Sequence, residues 1–373
     1  MEKPKFNYGG QAVMEGVMMR GAHIAAIAVR DPQGNIVIHE EALNAALYRG
    51  RMSRIPFVRG LVGLWDALVL GTRALIWSAN VALREEEEES EPQPATEAKE
   101  GFLSKIPLLR RFTNMLILSV RTMNMALGMG GSPQPTGNKS TEAFSDIAVV
   151  GIVALSLSMG IGLFFALPAA ASNIVQDVFN IKSRLAVDTI EGVVKLGIFV
   201  GYIAAIGFME DVKRLFGYHG AEHKTINAYE AGSELVPEQV QTHSIEHPRC
   251  GTAFLLTVML LSVVVHAITG RPDNIVLLII ARVSVVPIIA GLAYEVIRFT
   301  ARHSENPIVK LIIIPNLALQ RLTTRQPDTS MLEVAIAALQ RVLLAEEAVA
   351  RGETLNPQEE IILPRLEGAA YAG

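Results

Sequence analysis

Two histidines and a glutamate stand close together in a polar interval of a long apolar region. His219, Glu222 and His223 form the pattern H-x-x-E-H. On a helix, residues three and four apart project from the same face, so both imidazoles can bind one metal ion. The neighbouring carboxylate can then act as a base toward metal-bound water. The spacing therefore predicts a helical metal site with Glu222 as its catalytic residue.

The alternative interpretation is a pair of surface histidines beside a membrane helix. A five-residue pattern occurs by chance, and Gly220 inside it weakens a helix by about 1 kcal/mol relative to Ala. Inverzincins nevertheless have the same order of residues, and His is the commonest metal ligand. We therefore predict a divalent metal cofactor, with zinc as the first choice.

A third ligand is needed to complete such a site. Glu230 lies seven residues beyond His223, about 10.5 Å along a straight helix, which is too far for a metal–ligand bond near 2.1 Å. The remaining candidates lie across the following loop or at the end of the fourth apolar segment: His243, Glu246, His247, Cys250 and Glu295. Among these we favour His247 or Cys250.

The same loop contains a second H-x-x-E-H, formed by His243, Glu246 and His247. Pro248 disfavours the helical conformation of the residue before it, so this second pattern is less suited to form a helical pair. Cys250 has two further interpretations. It is either a nucleophile or a buried inert thiol, since free Cys is among the most buried residue types.

The composition of the chain limits the setting of this site. Of 373 residues, 50% are hydrophobic and 19% are charged, and the mean hydropathy is +0.33, which is too apolar for an ordinary soluble protein. The net charge of −4 gives no indication of nucleic-acid binding. A single cysteine excludes an intrachain disulfide. No apolar signal-peptide core follows the first residues.

Four segments have the length and apolar character to cross a hydrocarbon core of about 30 Å. They are residues 147–171, 186–208, 251–269 and 274–297. We predict a mainly α integral membrane protein with four transmembrane helices over residues 144–300 and a histidine loop at 209–250. The lipid bilayer is its first expected partner.

Lysine and arginine are distributed unevenly around these spans. Of 33 such residues, 28 lie before the first span, in the histidine loop or after the fourth span. By the positive-inside rule, both termini and the histidine loop are predicted to be cytoplasmic in a multi-pass protein of the inner (plasma) membrane.

Ionisable residues inside the spans are functional candidates by default. Glu191 and Lys195 are four residues apart and can pair with each other, which is the interpretation we favour. Arg282 lies well inside the fourth span. It could bind an anionic headgroup or phosphate, or find Glu191 or a backbone carbonyl.

Residues 1–60 predict a small cytoplasmic unit with a β-hairpin, because 24–29 and 36–38 flank the turn sequence DPQGN. GGQAVMEGVMMRG at 9–21 contains Glu15 and Arg20. It is either a flexible loop that approaches a ligand, or a packed turn with a buried Glu–Arg pair. Methionine commonly fills irregular core gaps, which favours the packed turn.

The remaining segments are assigned from charge and periodicity. Residues 61–143 contain two segments, 61–83 and 106–129, with too many charges for a bilayer centre. We predict that both are amphipathic interfacial helices. The acidic residues at 85–100 predict a disordered linker between them. Residues 301–351 contain a cytoplasmic helix capped by Asp328. Residues 352–373 predict a loosely ordered tail.

Four motifs carry a resemblance that covers residues 6 to about 344. GGQAVMEGVMMRG, YHGAEHKTINAYE, HPRCGTAFL and LQRLTTRQPD, in this order around four apolar spans, resemble the bacterial membrane family of domain of unknown function 1385, the YqhQ-like proteins. The resemblance implies an integral membrane protein that is a predicted metal-dependent enzyme. The residues that fall within these motifs are Glu15, Arg20, His219, Glu222, His223, His247, Arg249 and Cys250.

Together these features favour a metal-dependent enzyme, most plausibly a hydrolase acting at the cytoplasmic membrane surface. That location suits a lipid-linked, lipid or membrane-peptide substrate. The competing classes are a non-enzymatic scaffold or assembly factor, and a transporter using Glu191, Lys195 and Arg282, for which no inverted repeat is visible. The sequence contains no P-loop, G-x-S-x-G or Rossmann fingerprint.

Overall fold

The computed structural model describes residues 8–43, 55–82, 155–247, 250–270, 272, 274–303, 306–355, 357 and 360–364, with only the backbone described at 62–67. The segment predicted as an interfacial helix at 106–129, the acidic linker at 85–100 and Arg249 lie outside these residues. Helices and strands are numbered in chain order within the described part.

The N-terminal residues form an antiparallel sheet in which strands adjacent in sequence are adjacent in space. Its strands are β1 (Gly9–Val13), β2 (Gly16–Arg20), β3 (Ile24–Arg30), β4 (Ile36–Ala42) and β5 (Ile361–Leu363). Pairing of β3 with β4, from Ile24–Ala42 to Arg30–Ile36, confirms the predicted hairpin. Gly34 has a φ of 89° in its turn, a conformation that glycine adopts without steric cost.

Three strands of this sheet, β1, β2 and β5, were not predicted. GGQAVMEGVMMRG forms the β1–β2 hairpin, with Glu15 at the turn in the left-handed region at a φ of 50°. β5 corrects the predicted loose tail over three residues, which pair with Ile36–Ile38 of β4. Three successive apolar residues can complete a strand when a partner edge is available, and the local sequence does not reveal that edge.

The sheet has an apolar layer on each face. Helix α1 (Val58–Ala82) covers one face with Leu70 and Ala74. Helices α4 (Glu210–Ala231) and α10 (Thr329–Ala350) cover the other face. The segment predicted at 61–83 is therefore helical, and part of its apolar surface packs on the sheet.

Four described helices are long enough and apolar enough to cross a membrane. They are α2 (Leu155–Phe179), α3 (Arg184–Ile206), α6 (Gly251–Thr269) and the pair α7 (Ile275–Ser284) and α8 (Val286–Arg302). Large apolar side chains remain exposed on them, including Leu185 at 66% and Ile268 at 79%. Such surfaces are suited to contact with lipid rather than water.

The helix bounds differ from the predicted spans at two places. The first helix continues to Phe179, beyond the predicted end at residue 171, and the hydroxyl of Ser172 donates within it to the carbonyl of Ala169. It ends at Asn180, which is left-handed. The fourth helix is interrupted before Pro287, whose ring removes a backbone donor.

The helical bundle holds a buried ionic cluster. Arg282 is 1% exposed and donates to Asp188 Oδ1 at 2.7 Å, Glu191 Oε2 at 3.3 Å and the carbonyl of His266 at 3.2 Å. Two of the predicted alternatives, Glu191 and a backbone carbonyl, are thus partners of Arg282. Asp188 is an additional partner that the sequence analysis did not single out.

The predicted pairing of Glu191 with Lys195 is one of two interactions that Glu191 makes with a cation in this cluster. Glu191 Oε1 lies 3.2 Å from Nε of Arg282, while the ammonium of Lys195 lies 5.2 Å from the ring centroid of Phe165. Glu191 and Lys195 also attract each other electrostatically. The carboxylate is therefore shared between two cations.

The remaining helices join the bundle to the sheet. The short α5 (Pro237–Val240) precedes turns and bends at 241–247, on the α6 side of the helix. α9 (Pro307–Thr323) packs on α6 and ends beside α4. Asp328 caps α10 as predicted, since its carboxylate accepts from the backbone N–H of Met331 at 2.9 Å.

Candidate functional site

Helix α4 carries the H-x-x-E-H motif and is crossed closely by the chain between α9 and α10. A Cβ atom on Gly220 would lie 2.1 Å from the carbonyl oxygen of Arg325, and one on Gly217 would lie 2.7 Å from the sulfur of Met331. The glycine that weakens the helix by propensity is therefore needed for this crossing. The crossing brings the end of α9 against the histidines.

Backbone carbonyls orient both histidines of the motif. Nδ1 of His219 lies 2.8 Å from the carbonyl of Thr323, and Nδ1 of His223 lies 2.6 Å from that of Ile245. A carbonyl can only accept, so each Nδ1 donates, and each Nε2 keeps its lone pair. Nε2 of His223 is buried without a hydrogen-bond partner among the described residues. This is the arrangement expected of metal-ligating histidines.

Cys250 brings a sulfur to the same point from the start of α6. Its Sγ lies 3.1 Å from Nε2 of His219, and it accepts the backbone N–H of Thr252 at 3.4 Å as the N-cap. Ligand atoms of His219, His223 and Cys250 all lie within 4.8 Å of one another. Tetrahedral zinc separates its ligand atoms by about 3.5 Å, so the three side chains would have to move closer together to hold one ion.

Glu222 points from α4 toward strand β1. It is 5% exposed, and its carboxylate accepts the backbone N–H of Gly10. Burial raises the pKa of Glu222 to about 7, while His219 and the Gly10 N–H act in the opposite direction. A carboxyl with such a pKa can exchange a proton near neutral pH.

His247 lies beside this group without belonging to it. Its ring centroid is 5.7 Å from that of His223, and its Nε2 lies 3.9 Å from Oε2 of Glu230. Gln320 fixes the backbone of His247 by two hydrogen bonds, at 2.8 and 3.0 Å. Of the two favoured third ligands, the geometry therefore brings Cys250 to the histidine pair and leaves His247 next to it.

The other candidate ligands have separate partners. His243 bonds to the hydroxyl of Ser233 at 2.9 Å, and Glu246 bonds to Arg321 at 2.8 Å. Residues 241–247 form turns, bends and irregular backbone, so the second H-x-x-E-H is not helical. Glu295 accepts from Arg59 at 2.8 Å. None of these three joins the group formed by His219, His223 and Cys250.

The two polar residues of the β1–β2 hairpin have different surroundings. Glu15 forms an ion pair with Arg214 of α4 and lies 3.4 Å from the hydroxyl of Tyr218. Among the described residues Glu15 thus pairs with Arg214 of α4 and not with Arg20, the partner in the packed-turn interpretation. Arg20 lines the same cavity as His219, His247 and Glu222.

That cavity has a volume of about 570 Å³. One end is polar, with His219, Glu222, His247 and Cys250 in its wall. The rest is bounded by β1 and by apolar side chains at the ends of the bundle helices and on α1, including Ile203, Ile206, Leu255 and Leu70. The site therefore lies where the apolar helices meet the sheet unit.

Sequence reasoning missed the groups that support the motif. Thr323 and Ile245 act through their carbonyls, so their side chains give no signal. Gly10 contacts Glu222 of the motif although the two are more than two hundred residues apart in sequence. The only sequence signal for this contact is the glycine-rich composition of 9–21. The flexible-loop interpretation of that segment included a close approach, but to a ligand.

Comparison with known proteins gives a family without an assigned activity. The chain is 30% identical over 346 residues to the "Uncharacterized protein YqhQ" of Bacillus subtilis (strain 168), covering 91% of this chain and 93% of the relative. No solved structure matches the chain. The family model described as "Protein of unknown function (DUF1385)" matches residues 55–345, so the chain belongs to the DUF1385 family.

Proposed function

We propose that this protein is an integral membrane, metal-dependent hydrolase whose site lies at the cytoplasmic surface of the inner membrane. The observation that carries the proposal is that ligand atoms of His219, His223 and Cys250 lie within 4.8 Å of one another. Both histidines donate Nδ1–H to carbonyls, which leaves their Nε2 atoms able to bind a cation.

The donor set suits zinc best among divalent metals. Nitrogen and thiolate ligands select zinc over magnesium or calcium, which prefer oxygen. Three protein ligands leave a fourth position open, as in catalytic rather than structural zinc sites. His219, His223 and Cys250 would hold the ion, with His247 and its partner Glu230 beside it.

When bound, the metal would polarise the substrate carbonyl and make water a better nucleophile at neutral pH. Glu222 is the residue suited to take the proton from that water and to pass it to the leaving group. The Gly10 N–H fixes the Glu222 carboxylate in the cavity wall.

The location of the cavity bears on the substrate. Ile203 and Ile206 belong to the end of α3, and Leu255 to the start of α6. A lipid-linked, lipid or membrane-peptide substrate could enter beside these apolar residues, with the bilayer as the surrounding phase. The uneven distribution of lysine and arginine supports cytoplasmic termini, and the net charge of −4 provides no support for nucleic-acid binding.

Metal analysis of the detergent-purified full chain tests this proposal. Wild type is expected to contain about one zinc per chain, and the double variant His219→Ala, His223→Ala is expected to lose it. His303→Ala is the matched control, since His303 is exposed and its ring bonds to the carbonyl of Phe299 in the same helix. Negligible metal in all three proteins would instead favour a non-enzymatic scaffold.

A second variant separates metal binding from catalysis. Glu222→Gln should retain the metal while hydrolysis of a quenched-fluorescent substrate mixture falls by about 10²–10⁴-fold, the usual contribution of a general base. Loss of metal in this variant would make Glu222 a ligand.

A further inference from the structure

Strand β1 is an edge of the described sheet and borders the candidate metal site. It pairs with β2 on one side only within that sheet. Residues 9–12, four in succession, line the cavity that contains His219, Glu222 and Cys250. All four are partly exposed. An edge strand is a ready template for pairing with another extended chain.

The direction of the Gly10 N–H indicates which peptide groups of β1 face the cavity. In an antiparallel pair, residues alternate between those that bond to the neighbouring strand and those that do not. Gly10 donates to Glu222 rather than to β2, so the backbone groups of Ala12, two residues on, point to the same edge. The edge therefore presents the carbonyl of Gly10 and both peptide groups of Ala12.

The two glycines of this edge have different surroundings. Among the described residues nothing lies within 4 Å of a Cβ placed on Gly9, whereas the side chain of Glu222 lies directly beside Gly10. Across the cavity lie apolar side chains of α1, α3 and α6: Leu70, Ile203, Ile206 and Leu255. A strand bound here would place alternate side chains against this apolar surface.

We infer that the substrate is a peptide segment with apolar side chains, bound in extended form along β1 with its scissile bond beside Gly10 and Glu222. This inference rests on the proposed hydrolase function. In the reaction, water forms a bond from its oxygen to the carbonyl carbon and the peptide C–N bond breaks. Glu222 transfers a proton from the water to the leaving nitrogen, which gives a free amine and a carboxylate.

The edge-facing backbone groups of β1 favour a peptide substrate over one with an acyl chain. A hydrocarbon chain cannot bond to the peptide groups of Gly10 and Ala12, and it would bury them without partners. An unsatisfied buried peptide group costs about 1–3 kcal/mol. A peptide strand satisfies the same groups and can still use the apolar wall.

Hydroxamate probes test this inference on the full chain in detergent. Three probes share one metal-binding group: acetohydroxamate, a tripeptide hydroxamate with leucine side chains, and dodecanoyl hydroxamate. Dissociation constants for the zinc-loaded protein are measured by calorimetry. The tripeptide probe should bind at least tenfold more tightly than acetohydroxamate. Methylation of a single peptide nitrogen that faces β1 should reduce that advantage about fivefold, the effect of one lost hydrogen bond.

The same hydrogen bonding can be tested from the protein side with a variant of β1. Ala12→Pro removes one N–H that faces the cavity, at an edge position where proline is tolerated, and Ala12→Gly keeps that N–H. Ala12→Pro should weaken the tripeptide probe about fivefold and leave acetohydroxamate binding and metal content unchanged, whereas Ala12→Gly should change neither. If Ala12→Pro does not fold, the methylated probes decide the question on wild type.

The outcomes separate this inference from the function on which it rests. Absence of metal, or no binding of acetohydroxamate, would overturn the hydrolase proposal itself. Binding of acetohydroxamate without any advantage for the tripeptide would overturn only the peptide inference. Tighter binding of dodecanoyl hydroxamate that is insensitive to Ala12→Pro would identify a lipid substrate instead.

Discussion

At the scale of single residues, main-chain atoms determine what the motif can do. The carbonyls of Thr323 and Ile245 orient the two histidines, and the N–H of Gly10 holds Glu222. Main-chain groups are fixed by the fold and do not change with rotamer. The motif is therefore held by groups that mutagenesis of its own side chains would not reveal.

Gly10→Ala tests the contact between β1 and Glu222. A Cβ at this position would lie 2.5 Å from the carbonyl oxygen of Met18 and 2.9 Å from Cγ of Glu222, so we expect a loss of stability of about 1–3 kcal/mol from overpacking. Thermal unfolding in detergent measures it. Gly9→Ala is the matched control, because no atom lies within 4 Å of its Cβ. Equal melting temperatures for the two variants would contradict the close approach.

At the scale of elements, the site is assembled by the crossing of α4 with the segment between α9 and α10. Arg325 donates its backbone N–H to the carbonyl of Phe216 at 2.9 Å, and the glycines of α4 allow this contact. α9 then supplies Thr323 to His219. The helix with the motif is thus positioned by elements about one hundred residues later in the chain.

Gly220→Ala should separate helix propensity from packing. Alanine stabilises an isolated helix by about 1 kcal/mol relative to glycine, yet its Cβ would lie 2.1 Å from the backbone of Arg325. We expect a net loss of 1–3 kcal/mol, roughly, in unfolding free energy, together with a reduced zinc content. Gly201→Ala in α3, where nothing lies within 4 Å of the Cβ, should lose no stability. If Gly220→Ala were more stable than wild type and contained a full complement of metal, the close contact between Gly220 and the backbone of Arg325 would be disproved.

At the scale of the whole molecule, two kinds of surface meet at the cavity. The four apolar helices present large apolar side chains outward, while the sheet unit has its own core on both faces. Within the bundle, Arg282 of α7 is bound to two carboxylates of α3 and to a carbonyl of α6. One buried cation therefore connects three helices.

Arg282→Ala should destabilise the bundle strongly. Removal of the guanidinium takes from Asp188 and Glu191 the cation that they share, and breaking such a buried pair costs about 3–5 kcal/mol in comparable cases. Thermal unfolding of the full chain in detergent reports the loss. The triple variant Arg282→Met, Asp188→Asn, Glu191→Gln also removes the two carboxylate charges and should recover most of it. A triple variant no more stable than Arg282→Ala would mean that the cluster is not held by charge compensation.

The orientation in the membrane is tested by thiol labelling in intact cells. In a Cys250→Ser background, Lys182→Cys lies between α2 and α3, and Glu238→Cys lies in the histidine loop; both positions are exposed. The positive-inside rule predicts that an impermeant maleimide labels position 182 in intact cells and position 238 only after lysis. The reverse pattern would place the candidate site on the outer side.

The sequence alone determined the features that depend on neighbours along the chain. The face shared by His219, Glu222 and His223 follows from helical spacing, and the four apolar helices follow from length and hydropathy. The hairpin formed by β3 and β4 follows from its turn residues. Each of these is a local property, so no knowledge of the rest of the chain was required.

Only the tertiary structure decided which distant groups meet the motif. Cys250, thirty-one residues from His219, joins the histidines, while His247 lies beside them. The carbonyl of Thr323, the N–H of Gly10 and the pairing of β5 were likewise not determined by local sequence. Contacts over such separations depend on how whole elements pack against one another, because many arrangements satisfy the same local pattern and only mutual packing selects among them.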